Sequence, residues 1–88
     1  MPSYLVETFL SRSATRERTT RERQARSAAE ELTRTGTRVR FDRSIHVPED
    51  EICFFIFDAP SGREAALVAE RAALEPIRVV EAVSSREE

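Results

Sequence analysis

Polar and apolar residues alternate from Tyr4 to Leu10. Tyr4, Val6, Thr8 and Leu10 fall on one side and Leu5, Glu7 and Phe9 on the other, which predicts a half-buried strand. Ser11 to Ala14 is polar and breaks the pattern. From Thr15 to Thr35 the period turns helical, with apolar positions gathered late at Ala25, Ala28, Ala29 and Leu32. Thr19 and Glu22 have the spacing of a capping box, so a helix start at Thr19 also fits. Gly36 suits the end of this helix, because a glycine accepts the positive φ of a left-handed cap.

The next stretch, from Arg38 to Phe57, is the most informative. Arg38 to His46 reads as a strand in which Val39, Phe41 and Ile45 share a face that Arg43 interrupts. Arg38, Arg40, Asp42, Ser44 and His46 line its other face. Val47 to Asp50 makes a turn, since Pro48 fixes its own backbone and the acidic pair prefers water. Ile52 to Phe57 is apolar without interruption, the mark of a central strand buried on both faces. After Ala59-Pro60, Ser61 and Glu64 repeat the capping-box spacing and open a second helix. Its inward stripe is Ala65, Val68, Ala69 and Ala72. Pro76 follows, and Ile77, Val79, Glu81 and Val83 alternate along a last strand. Residues 84–88 form a polar tail that is expected to fray.

The order βαββαβ defines an α+β, ferredoxin-like unit, one domain over residues 1–83. Right-handed crossovers put both helices on one face of a four-stranded antiparallel sheet and leave the other face open. A strand apolar on both sides then asks for a second cover, and a second copy of the chain supplies one. A homodimer is the expectation.

Composition narrows the chemistry. All 14 basic residues are arginine and lysine is absent. That removes lysine Schiff bases and the phosphate-loop lysine, and with them pyridoxal-phosphate chemistry and ordinary nucleotide hydrolysis. Cys53 is the one cysteine, so neither an intrachain disulfide nor a CxxC pair can form, which suits a reducing cytosol. There is no charged leader followed by an apolar run and no long apolar segment, so a cytoplasmic protein with no membrane role is expected. Arg16, Arg18, Arg21, Arg23 and Arg26 crowd the first helix. Glu17–Arg21, Arg18–Glu22, Glu22–Arg26 and Glu30–Arg34 all have i,i+4 spacing, however, and the net charge is −2. A solvated helix laced with weak ion pairs follows, with no nucleic-acid surface.

The polar side of the second strand carries the candidate chemistry. Arg40, Asp42, Ser44 and His46 are expected on the uncovered face, joined by Glu7 and Glu81 from the first and last strands. Together they would line a cleft for a small ligand, with His46 the candidate metal ligand. Cys53 reads first as a small buried hydrophobe. An even-length turn would set it beside Ser44, His46 and Asp42 in one pocket, whereas an odd-length turn would send it under the helices.

The run RFDRSIHVPEDEICFFIFDAPSGREA and the later IRVVEAV resemble the small actinobacterial ferredoxin-like proteins of a domain-of-unknown-function family. The matching features are Tyr4, Glu7, Ser44, the acidic turn, Cys53 and Ala59-Pro60. The resemblance implies a dimeric α+β barrel and, because the family includes a nickel-binding member, a role in binding nickel or a small ligand. One histidine departs from that picture, since nickel favours several imidazole, carboxylate or water ligands. His46 would need a second protomer's donors, or Asp42, Glu7 or Glu81. Two other readings stand beside a binding protein. One is a cofactor-free enzyme of monooxygenase, isomerase or cyclase type, by analogy of fold. The other is a partner protein that docks through its arginine-rich helix.

Overall fold

The computed structural model describes residues 1–85. Its elements are β1 (Ser3–Phe9), α1 (Thr15–Arg34), β2 (Arg40–Val47), a 3-10 turn (Pro48–Asp50), β3 (Ile52–Asp58), α2 (Gly62–Arg71) and β4 (Arg78–Ala82). The sheet is antiparallel throughout, in the order β2-β3-β1-β4. This is the ferredoxin-like α+β arrangement that the hydrophobic pattern implies. Of the expected polar tail, residues 86–88 lie outside the described residues.

One core fills the space between the helices and the sheet. Tyr4, Val6, Phe41, Cys53, Phe55 and Phe57 from the strands meet Ala25, Ala28, Ala29, Leu32, Ala65, Val68 and Ala69 from the helices. Alanine dominates the helical side because the aromatic side chains of β2 and β3 already occupy the layer. Phe41 sits 5.4 Å from Phe57 and 6.3 Å from Phe55 between ring centroids, both tilted, a geometry that favours aromatic pairs. Arg26 covers the Phe41 ring from α1, with its guanidinium carbon 5.1 Å from the centroid.

The helix ends follow local chemistry, with one correction. Ser61 caps α2 by accepting from the Arg63 amide at 3.3 Å, and its hydroxyl donates to Glu64. Gly36 takes φ +111°. There the Gly36 and Thr37 amides donate back to Thr33 and Leu32, at 3.2 and 2.8 Å, and satisfy carbonyls the helix leaves free. Thr19 caps nothing. The helix begins at Thr15 after Ala14, which offers no side-chain acceptor, and Glu22 is drawn instead to Ser44 on β2.

The register of β2 brings a second correction. Phe41 pairs with Phe57, Arg43 with Ile56 and Ser44 with Phe55, so Asp42 is an extra residue in a β-bulge. Side-chain direction inverts at that point. Phe41 faces the helices, and beyond the bulge it is Ser44 and His46 that continue on its side, while Arg43 and Ile45 turn to the open face. Strict alternation had placed Ser44 and His46 on the open face and Ile45 beside Phe41. The bulge is the physical reason that half of this assignment is reversed.

Candidate functional site

The open face is built from the residues that alternate with the core. β1 contributes Leu5, Glu7 and Phe9, and β3 contributes Ile52, Phe54 and Ile56. After its bulge β2 adds Arg43, Ile45 and Val47, and β4 adds Arg78, Val80 and Ala82. The result is an apolar band crossed and ended by ion pairs. Phe9 is 57% exposed and Ile45 43%, although both belong to the sheet. Large apolar side chains held this open on a regular surface are a feature of interaction sites.

Charged groups on this face are committed to one another. Arg78 Nε donates to Glu7 Oε1 at 2.8 Å. At the opposite end Asp58 accepts from the Ser3 hydroxyl at 2.8 Å and from Arg40. Arg43 pairs with its neighbour Asp42 at 2.6 Å. Between these pairs lies an open groove of about 900 Å³, floored by Leu5, Ile45, Ile56 and Ala82. Asp42, Arg43 and Glu81 stand on its rim with Met1, Pro2, Ser3, Val83 and Ser84.

The expected site residues are therefore divided. Asp42 and Glu81 border the groove, but Glu81 pairs across from Tyr4 and so shares the helix-side phase of β4 with Val79, which corrects its expected place on the open face. Glu7 and Arg40 belong to the open face, each in an ion pair. Ser44 and His46 lie on the helix-covered face, which corrects their expected position. Arg43, Ile45 and Asp58 complete the open face and were not singled out from sequence. Arg43 was the available signal, since a charge in the apolar phase of a strand marks a place where the phase breaks.

The helix side holds a separate polar cluster beneath the first half of α1. Arg18 Nε donates to Ser44 Oγ at 2.9 Å and Arg18 Nη2 to the Ser44 carbonyl at 3.2 Å. Ser44 Oγ in turn donates to Glu22. Arg21 reaches the Phe9 carbonyl at 2.9 Å while pairing with Glu17 at 2.8 Å. His46 Nε2 lies 3.4 Å from the Leu10 carbonyl. Thr8 donates to the Cys53 carbonyl at 2.9 Å. Of the four ion pairs expected along the helix, Glu17–Arg21 and Arg18–Glu22 form, the latter at 3.9 Å. Glu22–Arg26 and Glu30–Arg34 do not form among the described residues.

Cys53 stands opposite His46 in the β2–β3 register, so the two do share a face. That face is the covered one, and Asp42 in the bulge is not part of it. Cys53 is fully buried. Burial pushes its thiol above the usual range, against the opposing pull of Arg18 and Arg21 and with a further push from Glu22. A thiol in this state is a poor nucleophile.

The donors for a metal do not converge. Among the described residues there is no group of three or more His, Cys, Asp or Glu side chains placed to hold an ion. His46 has its imidazole directed at a backbone carbonyl under α1. Within one protomer these residues do not fit the nickel that the sequence resemblance implies. Nor is any helix among the described residues long and apolar enough to cross a membrane.

Fold and face together define a small ferredoxin-like α+β domain with one uncovered, largely apolar sheet surface. A solved structure of similar fold is the protein SCO4226 from Streptomyces coelicolor A3(2). It superposes with a TM-score of 0.70 over 94% of this chain and 98% of that one, at 19% identity. No family model and no curated protein matches the chain.

Proposed function

We propose that the chain is a homodimeric binding protein whose two open sheet faces meet as an α+β barrel and enclose a site for a small amphipathic molecule. The observation that carries this reading is the apolar band on a face that no helix covers, with Phe9 and Ile45 held exposed within it. A second copy buries that band and uses the same residues on both sides, as a two-fold interface requires. The groove supplies the binding space. Its floor of Leu5, Ile45, Ile56 and Ala82 suits an apolar body, and Asp42 with Arg43 at the rim suits a polar end. Pairing of the charged groups beforehand keeps the face from repelling its own copy.

Native mass spectrometry of the tag-free protein, with and without added nickel, is the direct test. A dimer at micromolar concentration that retains no nickel at fixed stoichiometry is the expected result. Ile45→Asp should shift the population to monomer with its circular dichroism unchanged, because the charge lands on the open face and not in the core. A wild-type monomer would sink the proposal. Small aromatic and aliphatic carboxylates then form the first ligand panel, read as shifts in thermal midpoint that Ile45→Asp abolishes.

A further inference from the structure

The first half of α1, from Thr15 to Gln24, contains no apolar residue. The buried positions of the helix start at Ala25 and continue with Ala28, Ala29 and Leu32. Its N-cap gives no side-chain hydrogen bond. Past Ala14, which packs against the edge of the core at the helix start, the side chains of this half reach the sheet through polar contacts: Arg18 and Glu22 on Ser44, and Arg21 on the Phe9 carbonyl. Such bonds are replaced by bonds to water when the segment lifts, so their net hold is modest. The second half keeps an apolar seam whose burial water cannot replace. Beneath the polar half lie Thr8 and Cys53, both fully buried, with His46 opposite Cys53 in the register.

We infer that the Thr15–Gln24 half of α1 is a polar latch that opens as a unit while the rest of the domain stays folded, and that opening presents Cys53 together with His46 and Thr8 to solvent. Local openings of this kind occur where few apolar contacts tie a segment down. The latch closes over a thiol that burial keeps unreactive, and opening returns that thiol to water beside an imidazole. It works on the helix side of the sheet, opposite the groove, and does not depend on the dimer.

Labelling of Cys53 in the intact chain with an aromatic disulfide tests the latch. The Cys53 thiolate attacks one sulfur of the reagent, a mixed disulfide forms, and the other half leaves as a coloured thiolate. At low urea the rate should change little with denaturant, because opening one short segment exposes little surface. A rate that follows global unfolding at every urea concentration, or no reaction below the unfolding transition, would overturn the inference. Arg18→Ala should speed the low-urea rate about tenfold, the scale of a lost charge-assisted contact. Ser44→Ala, which removes the shared partner, should act in the same direction. Val68→Ala weakens the α2 seam and should leave the low-urea rate unchanged. Equal acceleration by Val68→Ala and Arg18→Ala would show that labelling needs global unfolding. Amide exchange gives an independent readout: Arg18 to Gln24 should exchange faster than Ala65 to Ala69.

Discussion

Two helical segments cover the same sheet by opposite means. α2 lays Ala65, Val68 and Ala69 onto the sheet in a dry seam, and its polar residues stay in water. The first half of α1 lays guanidinium and carboxylate groups onto a serine and a backbone carbonyl. No buried side-chain polar atom among the described residues lacks a partner, so the second solution is as complete as the first in its hydrogen bonds. The two differ in what water can replace. An apolar seam resists opening because separated surfaces are hydrated at a cost, whereas a polar seam trades one set of bonds for another. Equal cover thus does not mean equal resistance.

Substitutions can break this contrast in order of severity. Phe55→Asp, at a fully buried strand position in the core, should cost several kcal/mol and unfold the domain, seen as loss of the cooperative thermal transition. Val68→Ala should cost about 2 kcal/mol by removing apolar contact from the dry seam. Denaturant titration would show it as a lower midpoint with an unchanged slope. Ser44→Ala should cost about 1 kcal/mol globally, with its larger effect confined to amide exchange in the first half of α1. An effect on α2 amides of the same size would erase the distinction.

The smallest effect belongs to Ser61→Ala at the start of α2, expected to lower the thermal midpoint by about 4 °C at neutral pH. The Ser61 hydroxyl holds the Glu64 carboxyl below its ordinary value of 4.5. A carboxylate with a lowered folded-state value stabilises the fold above its ordinary value, and the contribution is lost as pH falls through the lower one. The gap between parent and variant should therefore narrow as pH drops below 4.5. A gap independent of pH would remove Glu64 from the cap.

The dry seam was legible in the sequence and the polar one was not. Ala65, Val68, Ala69 and Ala72 announce their face through helical spacing, and alternation in β1 assigns every residue from Tyr4 to Leu10 correctly. Ser61 and Gly36 act through local geometry that a few neighbouring residues determine. Arg18 and Glu22 form their i,i+4 pair, but nothing in that spacing shows that both also bind a serine 22 or more positions away. The open face was foreseen from the apolar run of β3. Its exact membership depended on the bulge at Asp42, a feature of strand pairing that no local pattern encodes. That is why Ser44 and His46 were expected beside Asp42 and are found under α1, while Ile45 and Arg43 take their place.

Asp42 also gives β2 a place where chain length can change without consequence for the faces. Loss of that one residue would restore a regular ladder and leave Arg43 and Ile45 on the open face and Ser44 and His46 under the helices, because the pairs on either side of it are already in register. Lineages differing by that single residue would present the same wall to the groove and differ in the local bend of the strand. At this position descendants of the fold can gain or lose a residue while Ser44 and His46 stay beneath α1 and Ile45 stays in the apolar wall.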